Sequence, residues 1–308
     1  MPLLKPMLCP TGCFDINGPY PFQFPVYCQP KIDGICCIIQ MNSVPSTRTQ
    51  HHIPNKYIRQ KLIDAKLDRG LHGDIVTYTN GVLDDYNIVE SKVMSVDGEP
   101  DFKFIIYDKC VPYITYASRL DHLEMFVAPR LPDYCAIIKT DNILNAIQLI
   151  TAWNEIPKSE HKEGLIIRNI HGYYKQGRAT TKENLIHRCK YYLDDEAIVI
   201  GVTQMMHNSN RFGSVPGGRS KAKAGMIPIP YVGSLIVKWA NHLDKPSFEI
   251  GTFDGVSQAT RKEWWLKREA LMGKQLNFRY YNVGMVDRPR SPVFKSWYTE
   301  LPEWEEFA

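Results

Sequence analysis

Apolar residues in this chain occur in short runs separated by polar or turn-forming residues. The run Gly34–Ile39, for example, is far shorter than the roughly 20 apolar residues that a membrane-spanning helix needs. The N-terminus lacks the charged segment followed by an apolar segment that directs secretion. We therefore expect short strands and amphipathic helices, with no membrane partner.

Length and composition narrow the class of protein. A chain of 308 residues predicts about two domains at roughly 150 residues each. Its hydrophobic fraction of 44% and charged fraction of 23% exclude collagen-like, coiled-coil and wholly disordered proteins. Its 8 cysteines include no Cys-x-x-Cys pair, which excludes a disulfide scaffold or zinc ribbon and favours a reducing, cytoplasmic compartment. The net charge of +4 permits a polyanionic partner without requiring one.

Two helical patterns alternate with strand-like runs in the first part of the chain, which indicates a mixed α/β domain. Asn55 is predicted to cap one helix that ends at Gly70, and a second helix is predicted from about Asp141. The buried stripe of the second helix would consist of Ile143, Leu144, Ile147 and Ile150. Strands are predicted at Ile35–Ile39, Ile75–Tyr78, Phe102–Tyr107, Leu165–Arg168 and Ala197–Gly201.

Composition shifts between Met205 and Pro230, where Gly, Ser and basic residues replace apolar ones. Such a segment is predicted to be flexible on its own. Further strands and a helix from about Ser257 to Met272 follow it, and with the strand before it they suit an OB-like β-barrel. These later strands are predicted at Ser234–Trp239, Ser247–Gly251 and Gln275–Tyr281.

Lys31 precedes an apolar strand in the run Pro30–Gly34, with an acid and a glycine beside it. The tetrapeptide Lys-x-Asp-Gly alone is more often a turn with a solvated lysine. A chemical role would need a neutral amine that attacks phosphorus, favoured by neighbouring cations. It would also need cations for phosphates, a carboxylate for a metal and an aromatic face for a base.

Residues of these kinds follow in order along the chain. Taken one at a time, each has an ordinary structural explanation as an exposed cation, a surface carboxylate or a core aromatic. Their joint order makes that explanation poor. The series consists of Arg48, Asp74, Tyr107, Glu163, Arg188 and Lys190, with the last two on one face of an extended segment.

The series resembles the covalent nucleotidyltransferase superfamily of ATP-dependent DNA ligases, RNA ligases and mRNA-capping enzymes. Lys31-Ile32-Asp33-Gly34 looks like the adenylylation motif, with Lys31 as the nucleophile. The other matches are Arg48, Gly73-Asp74, Tyr107-Asp108, Glu163-Gly164 with Ile166-Ile167-Arg168, and Arg188-x-Lys190. Small phage or viral DNA ligases are the nearest resemblance, because the runs Tyr173–Thr180, Phe248–Thr252 and Arg288–Phe294 are similar to theirs.

The resemblance implies an α+β fold. A nucleotidyltransferase (ATP-grasp-like ligase) domain of antiparallel sheets with helices would cover 1–190, and a β-barrel OB-fold domain 191–308, with a flexible, basic, latch-like segment at about 205–230. It also implies an ATP-dependent ligase that uses Mg²⁺ or Mn²⁺ and seals nicks in double-stranded DNA during replication, repair and recombination. We expect a monomer in the cytoplasm, or in the host-cell cytoplasm for a phage-encoded chain.

The resemblance also assigns site residues. Lys31 would be catalytic, and Glu163 and Asp74 would bind the metal. The ATP or AMP contacts would be Gln29, Pro30, Ile32, Arg48, Asp74, Tyr107, Glu163, Arg188 and Lys190. DNA would contact Lys175, Arg178, Arg211, Arg219, Lys221 and Lys223. Arg290 and Lys295 are the candidates in the OB-fold domain for orienting pyrophosphate.

The sequence departs from the family pattern at several positions. Cys36 stands where an arginine is usual, Asp74 is one methylene shorter than the usual glutamate, and Arg188 replaces a lysine. The terminal Arg-x-Asp-Lys element is missing after Val293-Phe294. Two alternatives therefore stay open: an RNA ligase or capping-type nucleotidyltransferase, and a catalytically inactive nucleic-acid-binding OB protein.

Overall fold

The computed structural model describes residues 3–156, 163–210, 222–242, 244–281 and 287–298. The chain divides into two compact units, Met1–Tyr191 and Tyr192–Ala308, and each has a hydrophobic core of its own. No helix in the described ranges combines the length and apolar character needed to cross a membrane.

The first unit contains twelve short strands among its described residues. They are β1 (Met7–Leu8), β2 (Val26–Pro30), β3 (Ile35–Ile39), β4 (Pro45–Thr47), β5 (Leu71–Thr79), β6 (Val82–Leu83), β7 (Asp101–Lys109), β8 (Cys135–Ile137), β9 (Asp141–Ile143), β10 (Gly164–Asn169), β11 (Gly177–Arg178) and β12 (Ile186–Lys190). Its helices are α1 (Lys56–Asp64), α2 (Tyr86–Met94), α3 (Tyr116–His122) and α4 (Ala146–Glu155), and a π-helical turn, Leu123–Val127, follows α3.

Two sheets of this unit provide its framework. The larger has the strand order β4-β3-β5-β7-β8, with β6 beside β5, and only β7 and β8 run parallel. The smaller has the order β12-β10-β2-β9 and is antiparallel throughout. Residues 31–34 connect β2 of the smaller sheet to β3 of the larger one. The Lys-x-Asp-Gly motif therefore lies at the passage between the sheets.

The predicted helix after Asn55 is confirmed, and its start follows from capping. The Asn55 side chain accepts a hydrogen bond from the backbone N–H of Ile58, which satisfies one of the unpaired donors at a helix N-terminus. The helix ends at Asp64, earlier than predicted. Gly70 instead adopts a positive φ of 82° just before β5 begins.

The predicted helix from Asp141 is wrong in its start and in its buried face. Residues Asp141–Ile143 pair with β2 as strand β9, and Asn145 caps a helix that begins only at Ala146. This later start turns Leu149 into the core, where it is fully buried, whereas Ile147 is 77% exposed. Leu144 and Ile150 are exposed as well, so of the four residues predicted as buried only Ile143 is, and it lies in strand β9.

The second unit is built mainly from one six-stranded sheet in the order β15-β14-β13-β17-β18-β16. Its strands are β13 (Leu193–Asn208), β14 (Met226–Trp239), β15 (Phe248–Ile250), β16 (Thr252–Phe253), β17 (Gln275–Tyr281) and β18 (Arg290–Trp297). Its α-helix is α5 (Gln258–Leu266), which Ser257 caps and which starts where predicted but ends before Met272. Trp239, Trp264 and Phe278 lie in the core of this unit. Closure of the sheet into a barrel stays a prediction.

The described ends of the segment predicted as flexible at about 205–230 belong to two antiparallel strands. Strands β13 and β14 pair out to Asn208 and Met226, so the described ends of the segment carry regular sheet pairing. Flexibility of the segment between these paired ends stays a prediction. Residues 211–221 lie outside the described residues.

The orientation of α4, with Leu149 buried and Ile147 exposed, predicts that alanine substitutions at these two positions differ in their effect on stability. Leu149→Ala should lower the free energy of unfolding by about 2–5 kcal/mol, because it empties a packed core position. Ile147→Ala should change it by no more than about 0.5 kcal/mol, because that side chain lies at the surface. Urea denaturation of the full chain measures both. Equal losses would contradict this helix orientation.

Candidate active site

Two glycines let the backbone close around the candidate nucleophile. A Cβ atom at Gly34 would lie 2.6 Å from the carbonyl oxygen of Ile75 on β5. A Cβ atom at Gly164 would lie 2.1 Å from the carbonyl oxygen of Cys189, and its φ of 144° also favours glycine. The backbone N–H of Lys31 donates to the Gly164 carbonyl at 2.8 Å. The lysine loop is therefore packed against both sheets.

Glu163 holds two lysine side chains at once. Its Oε2 lies 2.5 Å from Nζ of Lys31, and its Oε1 lies 2.8 Å from Nζ of Lys190. The Glu163 side chain is only 3% exposed. Burial alone would raise the pKa of this carboxyl group, but the charges and hydrogen bonds of the two lysines outweigh burial and lower it. Glu163 is therefore a carboxylate at neutral pH.

Asp74 lies on β5, opposite Cys36 of β3 and Ile105 of β7. Its Oδ1 accepts a 3.1 Å hydrogen bond from the Tyr107 hydroxyl. Burial raises the pKa of Asp74 to about 6, against the charge of Lys31 and the Tyr107 hydrogen bond, which both lower it. Asp74 is thus close enough to Lys31 for the lysine charge to lower the pKa of its carboxyl group, and that pKa is still about 6.

His72 is a buried neighbour of this site that no motif assigned. Its Nε2 lies 3.1 Å from the Tyr107 hydroxyl, and its Nδ1 lies 3.1 Å from the Tyr174 hydroxyl. Burial lowers the pKa of His72 to about 3, so the ring is neutral. The sequence does hold a signal for it, because residues 72 and 74 share one face of a strand.

Both N–H groups of the Gln29 side-chain amide donate hydrogen bonds. Its Nε2 donates to the hydroxyls of Tyr116 at 2.7 Å and Thr140 at 2.9 Å, and its Oε1 accepts from Nε of Arg168 at 2.9 Å. Because an arginine only donates, the atom facing Arg168 must be the amide oxygen. Pro30 pairs with β10 beside it, and the Ile32 side chain is buried.

Arg168 and Asp108 form a buried ion pair next to Tyr107. Asp108 accepts from Nη1 of Arg168 at 2.7 Å and from Nε of Arg119 at 2.6 Å. The Arg168 guanidinium also stands 5.4 Å from the ring centre of Tyr107 and 4.7 Å from that of Tyr116. The two arginines outweigh burial and lower the pKa of Asp108. Nothing in the sequence near Arg119 marked it as a member of this network.

The remaining cations predicted to contact the nucleotide are Arg48 and Arg188. Arg48 is exposed in the turn after β4, and its charge acts on the half-buried thiol of Cys36. Arg188 donates from Nη2 to the Thr11 carbonyl at 2.6 Å, while its buried Nε has no hydrogen-bond partner in the described part of the chain. The charges of Arg188 and Lys31 both lower the pKa of Cys9, against its burial, so both cations lie within electrostatic range of that thiol.

The predicted DNA contacts are only partly described. Lys175 is paired with Glu183 at 2.5 Å, and Arg178 donates to the Cys9 carbonyl at 2.7 Å. Lys223 is exposed in a short 3₁₀ turn. The three other predicted contacts, Arg211, Arg219 and Lys221, lie outside the described residues.

The two pyrophosphate candidates lie on β18 in the second unit. Lys295 forms an ion pair with Asp254. Arg290 pairs along the strand with Tyr281 of β17. The described structure thus shows Lys295 already engaged by a carboxylate of its own unit.

Comparison with protein-family models finds no match for this chain, and comparison with curated protein sequences finds none either. Solved structures do match. Two structures of Chlorella virus DNA ligase-adenylate share 26% and 25% of residues with this chain, at TM-scores of 0.53 and 0.54. The matches cover 97% and 96% of this chain and 99% and 100% of those chains.

A Lig E DNA ligase structure matches at a TM-score of 0.66 and 18% identity, over 95% of this chain and 98% of that one. That identity supports the fold alone. The expected α+β architecture, with a nucleotidyltransferase unit followed by an OB-fold unit, is confirmed by these structures. The prediction from the motifs is thereby confirmed too: the chain resembles the ATP-dependent DNA ligases of the small viral type and is an enzyme of the ligase class.

Proposed function

We propose that this chain seals nicks with a 3′-hydroxyl and a 5′-phosphate in duplex DNA, through a lysyl-AMP on Lys31 and a DNA-adenylate. One observation carries the proposal: the buried carboxylate of Glu163 joins the amines of Lys31 and Lys190 at 2.5 and 2.8 Å. Three separate sequence motifs meet at that carboxylate. The likeness to a DNA ligase-adenylate supports the same reading.

In the first step, Lys31 would attack the α-phosphorus of ATP. An N–P bond forms while the P–O bond to pyrophosphate breaks, and the proton displaced from the nitrogen passes to solvent water. Lys190 shares the Glu163 carboxylate with Lys31, so both amines lie beside the same group. Lys190, Arg188 and Arg48 would stabilise the charge on the phosphate oxygens, since positioning and electrostatics dominate phosphoryl transfer.

Glu163 and Asp74 are the residues that would hold Mg²⁺ or Mn²⁺. No group of three or more His, Cys, Asp or Glu side chains suited to a metal occurs in the described ranges. Two carboxylates together with substrate phosphates nevertheless suit Mg²⁺, which keeps few protein ligands in such sites. When bound, the ion would supply positive charge to the α-phosphate.

Gln29 offers a reason for ATP rather than GTP. Both of its amide N–H groups are used by Tyr116 and Thr140, so only its oxygen can accept a further hydrogen bond. The adenine amino group is a donor and suits that oxygen, whereas the guanine carbonyl at the same position does not. Adenine would stack near Tyr107, with Pro30 and Ile32 beside it.

In the later steps, AMP passes to the 5′-phosphate and the 3′-hydroxyl then displaces it. DNA would be held mainly through its phosphates, which requires no sequence specificity. Lys175, Arg178 and the basic segment at about 205–230 are the proposed contacts. Arg290 or Lys295 would orient pyrophosphate in the first step.

Labelling with α-labelled ATP and Mg²⁺ tests the central step. The wild type should acquire covalent AMP, and Lys31→Ala should acquire none because the attacking amine is gone. Lys139→Ala, which removes a lysine that is 83% exposed, should label like the wild type. An unlabelled wild type would favour the inactive OB protein. GTP labelling or preferential sealing of nicked RNA would favour an RNA ligase or a capping-type nucleotidyltransferase.

The basic segment predicts a specific salt dependence. Replacing Arg211, Arg219, Lys221 and Lys223 by serine should weaken binding to nicked duplex and flatten the slope of log K against log salt by about 0.9 for each lost phosphate contact. AMP labelling should be unchanged, since the segment takes no part in the first step. Lys139→Ser is the matched surface control. An unchanged salt slope would exclude the segment as a DNA contact.

Asp74 predicts a pH dependence of stability. Its pKa is raised to about 6 from an ordinary value of 3.8, so the folded chain binds more protons than the unfolded chain between those values. Its contribution therefore falls as pH rises from about 4 to 6, by up to roughly 3 kcal/mol at about 1.4 kcal/mol per pKa unit. The wild-type minus Asp74→Asn difference in unfolding free energy should show that fall. A difference that is flat with pH would contradict the raised pKa.

A further inference from the structure

We propose that His72 is a positioning residue for the nucleotide: it fixes the hydroxyl of Tyr107 and, through it, the carboxylate of Asp74. This inference rests on the proposed function, because it concerns how the nucleoside contacts are held. It adds a residue to the site that no motif of the sequence assigned.

Strand geometry places the three residues together. His72 and Asp74 lie two positions apart on β5, so their side chains project from the same face. Tyr107 lies on the neighbouring strand β7, and its hydroxyl reaches both His72 Nε2 and Asp74 Oδ1 at 3.1 Å. The hydroxyl is thus shared between the histidine and the carboxylate.

The directions of these hydrogen bonds follow from the donors available. Tyr107 has one hydroxyl proton, which it donates to the carboxylate of Asp74. His72 must then donate from Nε2 to the Tyr107 oxygen, and a neutral ring with that proton accepts at Nδ1. Tyr174 lies 3.1 Å from Nδ1, nearer than the Lys5 carbonyl that its hydroxyl also faces at 3.3 Å, and it can donate to Nδ1. A hydroxyl that donates to Nδ1 requires the tautomer with its proton on Nε2. That is the tautomer that can donate to the Tyr107 oxygen.

Tyr174 is itself held in place. Its hydroxyl oxygen accepts from the Met7 backbone N–H at 3.0 Å and from the Cys110 thiol at 2.9 Å. A continuous chain of donors therefore runs from Cys110 through Tyr174, His72 and Tyr107 to Asp74. Each link polarises the next toward the carboxylate, which strengthens the arrangement beyond a single contact.

Two departures from the family pattern agree with this chain of contacts. Cys36 replaces the usual arginine, and its Sγ lies 3.6 Å from His72 Nε2, so a small side chain occupies this edge of the ring. Asp74 is shorter than the usual glutamate, and the Tyr107 hydroxyl donates a hydrogen bond to its carboxylate. His72 thus helps fix the carboxylate and the aromatic ring that the nucleoside would contact.

The decisive comparison is between two amide substitutions. His72→Asn keeps an acceptor near the position of Nδ1 but loses the donor toward Tyr107, whereas His72→Gln keeps a donor near the position of Nε2. His72→Asn should raise the ATP concentration for half-maximal AMP labelling about five- to tenfold, the size of one lost hydrogen bond. The rate at saturating ATP should change less than about twofold, because ground-state contacts are lost. His72→Gln should restore most of the affinity.

A double substitution separates positioning from general destabilisation. Tyr107→Phe should raise the half-maximal ATP concentration by itself, and adding His72→Asn should then have no further effect. ATP binding measured by equilibrium dialysis in the Lys31→Ala background should show the same order without any chemistry. His122→Asn, a histidine outside the site, is the matched control and should change neither readout.

The outcomes distinguish the two proposals. If the wild type is labelled but His72→Asn behaves like the wild type, or its effect persists in full beside Tyr107→Phe, the role of His72 is overturned. Equal losses in His72→Asn and His72→Gln, with melting temperatures lowered alike, would also overturn it. If the wild type acquires no AMP at all, the proposed function itself fails.

Discussion

The shared contact of Glu163 with Lys31 and Lys190 is the interaction on which the rest of the site depends. A buried carboxylate is costly to desolvate, and only paired cations make its burial tolerable. The two lysines come from different places in the chain, one after β2 and one at the end of β12, and both strands flank β10. The carboxylate therefore fixes the relative position of three motifs.

The two glycines make this geometry possible. Gly34 allows the lysine loop to approach β5, and Gly164 allows β10 to approach the end of β12. Behind them, Asp108 joins Arg168 and Arg119 in a second buried ionic group that supports Tyr107. The candidate site thus has charged groups on a rigid base of paired strands, which suits a reaction that depends on positioning.

Motif order singled out Lys31, Asp74, Tyr107, Glu163 and Lys190, because the predicted chemistry restricts residue type. The structure links Lys31 and Lys190 through Glu163, and Tyr107 to Asp74, while their roles stay predictions. The buried face of α4 was wrong because an apolar stripe cannot show where Asn145 begins the helix. Spacing along β5 could have indicated His72 beside Asp74, but the hydrogen-bond partners of His72 and Gln29 lie on strands far apart in the chain, so no local pattern predicts them.

The most direct test of the account is to locate the AMP. Wild-type protein incubated with ATP and Mg²⁺ can be digested and its peptides analysed by mass spectrometry under alkaline conditions, where an N–P bond to lysine survives. The account predicts AMP on the peptide that contains Lys31 and on its side-chain nitrogen. AMP on Lys190 or another residue, or no modified peptide, would contradict it.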